Sequence, residues 1–129
     1  MQKPQIEVPK WTLTLLNNLY EIEKKLIIHG DNGNARRNVE KIKDILTDEH
    51  IFGHGAKLFY EDPLNQVFKE TRIDLEATIS GEGTENLIVT EVFKPIIRCE
   101  ISSGNEKYSR VVQKGIVVVE SVDNGANNE

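Results

Sequence analysis

The spacing of apolar residues changes along this chain, and that change limits the fold more than any other feature of the sequence. Up to Leu46 the apolar residues recur at steps of three and four, whereas from Ile73 onward they alternate or form short β-branched runs. A period near 3.6 is typical of amphipathic helices, and a period of two is typical of strands with one buried face. The sequence therefore predicts an α+β fold, in which an N-terminal helical hairpin is followed by a small antiparallel β-domain.

The first part of the chain contains two predicted helices. The first covers residues 10–28 behind Pro9, which is acceptable next to a first helical turn, and it ends at a glycine-rich turn. The second covers residues 35–46, with Asn34 as a candidate N-cap. We assign residues 10–50 to this hairpin. The apolar stripe of its first helix is too long for the second helix to cover, so either the sheet or a second subunit must bury it.

Strand signals dominate residues 51–122, which we predict to be the β-domain. Apolar and polar residues alternate strictly in the run 72–79, and glycine-containing turns separate it from the strands that follow. The later predicted strands are 86–93, 96–101, 108–113 and 116–122. An antiparallel sheet or a small β-sandwich is expected from this pattern. The tail 123–129 has no apolar anchor and is expected to be disordered, as are residues 1–9.

The charge and composition exclude several classes of function. The chain has 16 Lys and Arg against 21 Asp and Glu, a formal net charge of −5, which favours neither nucleic acid nor an anionic membrane as partner. Its longest apolar runs, such as 116–119, are far shorter than the ~18 residues of a membrane-spanning helix. Nothing at the N-terminus resembles a secretory signal, and one cysteine cannot form an internal disulfide. We therefore expect a cytoplasmic protein.

The sequence offers few residues for catalysis or metal binding. His50 and His54 have the spacing of two metal ligands on a helix, but Gly53 and Gly55 interrupt that helix. Cys99 lies within a predicted strand, where a small buried side chain is the ordinary role. We therefore expect no cofactor, no metal and no enzymatic activity, and we interpret the chain as a binding module. A small enzyme or metal protein that uses these histidines or this cysteine remains an alternative.

Several segments, taken in order, resemble the GrpE family of nucleotide exchange factors. The stretch from Leu15 to Leu26 is similar to the end of that family's long helix, and the stretch from Asn38 to Leu46 is similar to its short helix. The segment Tyr60-Glu61-Asp62-Pro63-Leu64-Asn65 resembles the family's Phe-Asp-Pro entry into the β-domain. Residues 84–94 and the run Arg110-Val111-Val112-Gln113-Lys114-Gly115-Ile116-Val117-Val118-Val119 resemble its last hairpin, which closes on alternating valines.

The resemblance implies a fold, a partner and a set of contact residues. It implies a GrpE-like β-sandwich that docks on the ATPase domain of a DnaK-type chaperone and promotes ADP release, while the helices form a homodimer. By position it assigns partner binding to Arg110, with Lys94 and Val119 as weaker candidates, and a core position is the favoured interpretation of Val119. On the same basis, we hypothesise that a dimer interface is formed by Leu16, Leu19, Leu26, Ile42 and Ile45.

A second interpretation keeps the fold but not the activity. Gln113, Lys114 and Gly115 stand where the family usually has Arg-Pro-Ala, which is close to the hairpin that faces the chaperone. The chain could then be a GrpE-like adaptor or dimerisation module without exchange activity. Retained affinity for a chaperone distinguishes these two interpretations.

Overall fold

The computed structural model describes residues 7–48, 50–53 and 55–122 and has two helices followed by seven strands. The helices are α1 (Lys10–His29) and α2 (Arg36–Leu46). The strands are β1 (Lys57–Glu61), β2 (Val67–Phe68), β3 (Leu75–Ile79), β4 (Leu87–Lys94), β5 (Ile96–Ser103), β6 (Glu106–Gln113) and β7 (Gly115–Ser121). The predicted α+β class is confirmed. No helix in the described ranges combines the length and apolarity needed to cross a bilayer.

The chain divides into two compact units, and the division does not fall between the helices and the strands. The first unit contains residues up to 60 together with 97–112, and the second contains 61–96 together with 113 onward. The strands form a three-stranded sheet of order β1-β5-β6 and a four-stranded sheet of order β2-β4-β7-β3. The strands after residue 51 are thus shared between two units rather than gathered in one β-domain. The predictions of disorder for residues 1–9 and 123–129 lie outside the described residues, except at residues 7–9, which form neither helix nor strand.

Local hydrogen bonds set the ends of both helices. The carbonyl of Pro9 accepts hydrogen bonds from the hydroxyl (2.6 Å) and the amide (3.0 Å) of Thr12, and α1 ends at Gly30, which has a positive φ of 97°. The carboxylate of Asp31 accepts the amides of Ala35 (2.6 Å) and Arg36 (3.1 Å) at the start of α2. Asp31 therefore caps α2, and Asn34, the predicted cap, instead has a left-handed backbone with φ 58°.

The core of the first unit forms between the helices and the three-stranded sheet. Buried side chains from α1 and α2 pack in one cluster with buried side chains from β1 and β5. The cluster consists of Leu16, Leu19, Val39, Leu46, Ala56, Leu58, Ile97, Cys99 and Ile101. The amphipathic stripe of α1 is thus covered, over its middle part, by residues of the same chain, which is one of the two outcomes that the sequence left open.

The second unit is built around the valine-rich strand β7. This strand pairs antiparallel with β4 and parallel with β3. The parallel pair departs from the expected all-antiparallel pairing, and it is possible because the chain passes through three other strands between β3 and β7. Val89 and Val119 are cross-strand partners, and both are fully buried. Gly115 lies in a tight space, since an added Cβ would come within 2.8 Å of Leu75 Cδ2 and 3.0 Å of Ile96 Cγ1, so that these side chains would have to shift.

Candidate functional site

The three residues predicted to bind a partner lie in different surroundings. Arg110 is exposed on β6 in the first unit, and Lys94 is exposed at the end of β4 in the second unit. Val119 has no exposed surface, because the inward face of β7 carries it into the core of the second unit. A fully enclosed side chain cannot contact another protein, so Val119 is a core residue and is no longer a candidate contact. The structure does not bring Arg110 and Lys94 together within one unit.

Arg110 lies close to the single cysteine. Burial raises the pKa of the Cys99 thiol above its ordinary value, and the positive charge of Arg110 partly offsets that rise. The thiol is therefore neutral at physiological pH, and it is fully enclosed in the core of the first unit. A neutral, enclosed thiol is a poor nucleophile. This arrangement agrees with a packing role for Cys99.

The residues assigned to a dimer interface separate into a buried pair and an exposed pair, with Leu26 half-buried between these extremes. Leu16 and Leu19 are part of the core of their own chain, so they are corrected from interface residues to core residues. The correction has a simple cause: these two side chains lie on the face of α1 that meets the three-stranded sheet. Ile42 and Ile45 on α2 are 38% and 56% exposed, so they are available for contact with another molecule.

The structure adds nothing to the metal hypothesis. His54 lies outside the described residues, and the amide of His50 donates a hydrogen bond to Asp48 Oδ1 at 2.9 Å in an exposed loop. Within the described ranges, no three His, Cys, Asp or Glu side chains come together in a way that could hold a metal ion.

A half-buried polar cluster connects α1, α2 and β1, and the sequence pattern did not predict it. We call it the Glu23 cluster; it consists of Tyr20, Glu23, Lys43 and Tyr60. The Glu23 carboxylate accepts hydrogen bonds from the Tyr60 hydroxyl and from Lys43 Nζ, the latter at 3.1 Å. The Lys43 ammonium also lies 4.4 Å from the centre of the Tyr60 ring, and this ring meets the ring of Tyr20 edge to face at 5.7 Å.

The Glu23 cluster fits a structural role. The side chain of Glu23 is only 13% exposed, and it follows Leu16, Leu19 and Tyr20 on the buried face of α1. A carboxylate there needs charged and polar partners, because burying an unpaired charge is costly. A signal for it was present in the sequence: an acidic residue interrupts an apolar stripe at helical spacing. Its partners on α2 and β1 could not be read from that signal.

A second polar arrangement orders the segment that leads into β3. Arg72 donates two parallel hydrogen bonds to Asp74, at 2.9 and 3.0 Å, and further bonds to Gln66 Oε1 and to the carbonyl of Val67, both at 3.1 Å. Bidentate pairing of this type fixes both position and orientation. The alternation over residues 72–79 predicts a strand that includes residues 72–74, but the strand begins at Leu75.

Comparison with known proteins gives no relative: no family model matches the chain, and neither a curated protein nor a solved structure matches it significantly. The GrpE resemblance therefore depends on the residues quoted for it and on the order of the structural elements.

Proposed function

We propose that this protein is a non-enzymatic co-chaperone of the GrpE type, which binds the ATPase domain of a DnaK-type chaperone and promotes release of ADP. One observation carries the proposal. Two helices precede the strands, and β6, with Arg110 exposed, leads directly into the valine-rich β7, in the order that the resemblance implies. The family resemblance supplies the partner and the activity.

The proposed mechanism requires no catalytic residue. An exchange factor that prefers the open form of the nucleotide cleft lowers the affinity of the chaperone for nucleotide. By thermodynamic linkage, bound nucleotide lowers the affinity of the chaperone for the exchange factor by the same factor. Arg110 is the main contact in this proposal, because an exposed guanidinium can form two charge-assisted hydrogen bonds with a carboxylate of the partner. Lys94 is a second, separate contact, and Val119 is withdrawn.

The proposed homodimer uses the exposed part of the helices. Of the five residues first assigned to the interface, Leu26, Ile42 and Ile45 retain accessible surface. Their number is small for an obligate dimer, which usually has an extensive apolar interface. We therefore expect a dimer that dissociates on dilution, detectable as a concentration-dependent mass in light scattering.

The exchange proposal is tested by the rate at which a fluorescent ADP analogue leaves the ATPase domain of a DnaK-type chaperone. The wild-type protein should accelerate release. Arg110→Ala should weaken this effect by roughly tenfold or more, because truncation of an important interface arginine costs ~2 kcal/mol of binding free energy. Arg37→Ala is the matched control, because Arg37 is an exposed arginine on α2 with no assigned contact. Arg110→Lys should accelerate ADP release to an intermediate extent, since it keeps the positive charge but cannot form the two parallel hydrogen bonds of a guanidinium.

The adaptor interpretation is the second candidate, and one observation favours it. Val119, one of the three predicted contacts, is enclosed, and the two that remain lie in different units. The adaptor would serve some other protein, so it predicts neither binding to the chaperone nor faster ADP release. Absence of both, with chaperones from the protein's own source, would reject the exchange proposal and leave the adaptor, whose partner would then be sought by pull-down.

A further inference from the structure

The strand β3 lies at one edge of the four-stranded sheet and has a neighbour, β7, on one side only. The amide of Gly115 donates to the carbonyl of Asp74, and the amide of Ser80 donates to the carbonyl of Val119, both at 2.9 Å. In a parallel ladder, every second residue directs both its N–H and its C=O group toward the partner strand, and the two bonds fix which residues of β3 these are. The N–H and C=O groups of Ala77 and Ile79 therefore point away from β7.

This outer side of β3 is accessible. Ile79 is 43% exposed, Ala77 is half-buried, and Glu76, Thr78 and Ser80 around them are exposed. Within the described part of the chain, no strand pairs with the outer side of β3. A row of unpaired main-chain donors and acceptors is complementary to another extended backbone, and added strands bind in this way.

A groove adjoins this edge, and Ile79 belongs to both. The groove has a volume of about 440 Å³ and lies entirely within the second unit. Three apolar side chains line it, from Phe68, Ile79 and Leu87. The remaining lining residues are polar or charged, namely Lys69, Glu70, Thr84, Glu85 and Asn86. A groove of this size has room for an apolar side chain beside an edge strand, which is the arrangement that gives strand-adding sites their specificity.

The charge around the edge and the groove is negative. Glu70 and Glu85 line the groove and are exposed, and among the lining residues only Lys69 opposes them with a positive charge. Opposite charges on the two sides of an interface favour association and select against partners of the wrong sign. The ligand that fits is therefore an extended segment with a basic residue close to its apolar one.

We propose that the outer edge of β3 and the adjoining groove form a peptide-binding site, in which an extended segment of another polypeptide pairs with Ala77 and Ile79, inserts an apolar side chain into the groove and places a Lys or Arg near Glu70 and Glu85. This site is separate from Arg110 and does not depend on exchange activity. It makes the second unit a recognition module for an unfolded or extended stretch of a partner.

The proposal is tested on the full-length, ¹⁵N-labelled protein with a short capped peptide of sequence Lys-Val-Thr-Leu-Lys. Addition of peptide up to ~1 mM, a concentration that detects weak binding, should shift the amide resonances of Ala77 and Ile79. Hydrogen exchange at these two amides should slow by roughly tenfold at saturation, because exchange requires the added strand to leave. The amides of Glu76 and Thr78, which face β7, should change less.

Two altered peptides separate strand addition from general adhesion. A peptide methylated on alternate backbone nitrogens keeps its side chains but cannot complete the ladder, and it should bind at least tenfold more weakly. The peptide Glu-Val-Thr-Leu-Glu should also bind more weakly than the basic peptide. The difference in affinity between these two peptides should become smaller in high salt. Equal binding of the methylated peptide would overturn the proposal, as would shifts confined to other parts of the protein.

Two variants test the edge itself. Ala77→Pro removes an amide that points away from β7, so no internal ladder bond is lost, and proline is tolerated at such edge positions. It should abolish the protection at Ile79. Ile79→Lys leaves the backbone unchanged and puts a positive charge at the groove, so it should weaken binding of the basic peptide. This variant replaces Ala77→Pro in the test if the proline variant does not fold. Unchanged binding by the folded variants, or pairing of β3 with a second copy of the chain in place of the peptide, would overturn the proposal.

Discussion

The two units of this protein obtain their stability in different ways. The first depends on the volume of side chains, since aliphatic residues of α1 and α2 fill the space over β1 and β5 around one half-buried ionic cluster. The second has no helix among its described residues and depends on backbone geometry: β7 is paired on both sides, and a glycine allows Leu75 and Ile96 to approach the strand closely. The first unit should therefore be sensitive to lost volume and the second to added volume.

The largest effect is expected from lost volume in the first unit. Leu16 is fully buried, so Leu16→Ala should lower the free energy of unfolding by ~3 kcal/mol or more, through lost transfer energy and an unfilled cavity. Urea unfolding followed by circular dichroism measures this change. Ile27→Ala on the same helix is the control, because Ile27 is 66% exposed, and its cost should stay below about 0.5 kcal/mol. Similar losses for both variants would contradict the placement of the core.

Added volume in the second unit should give the next largest effect. Gly115→Ala puts a methyl group 2.8 Å from Leu75 Cδ2, and overpacking of this kind costs about 1–3 kcal/mol. Gly33→Ala is the matched control, since nothing lies within 4 Å of its added Cβ. In the double variant Gly115→Ala/Leu75→Ala the closer of the two contacts is removed, so its loss should be smaller than the sum of the two single losses. Additive losses would show that the close approach does not limit the packing.

The Glu23 cluster should contribute less than either core position. Glu23→Gln keeps the shape of the side chain but removes the charge that pairs with Lys43, and a hydrogen bond to a charged group is worth ~1.5–3 kcal/mol. Part of that is recovered because an amide can still accept a hydrogen bond, so we expect a loss near the lower limit. Glu40→Gln is the control: Glu40 also pairs with Lys43, but it is 57% exposed and should cost little. Equal losses of unfolding free energy in the two variants would show that the buried carboxylate of Glu23 stabilises the protein no more than the exposed one of Glu40.

The sequence predicted the elements well and their arrangement less well. Periodicity located α1, α2 and most strands to within a few residues, because apolar spacing reflects which face each element buries. It could not identify strand neighbours, so the parallel pairing of β3 with β7 was not foreseen. For the same reason it could not tell whether Leu16 faced a sheet or a second subunit. Val119 was assigned by resemblance alone, and its burial depends on its register with Val89.

The smallest expected effect concerns Cys99 and the stability of the first unit at high pH. Burial raises the pKa of the folded thiol, and Arg110 offsets only part of the rise. Below the unfolded pKa the thiol is neutral in both states and causes no pH dependence. Above it the unfolded chain loses its proton first, so the stability falls as the pH rises toward the folded pKa.

The Cys99→Ala variant isolates this contribution. Its own free energy of unfolding will be lower because of the lost volume, but the decline between neutral pH and pH values above the unfolded thiol pKa should be shallower than in the wild type. Arg110→Ala should extend the decline to higher pH, since removing the charge that favours the thiolate raises the folded pKa of Cys99 further. Iodoacetamide provides a second measurement: the folded wild-type thiol should react far more slowly than the unfolded one at the same pH. Parallel pH profiles for all three proteins, with fast alkylation of the folded chain, would mean that Cys99 is accessible and that the core of the first unit opens at β5.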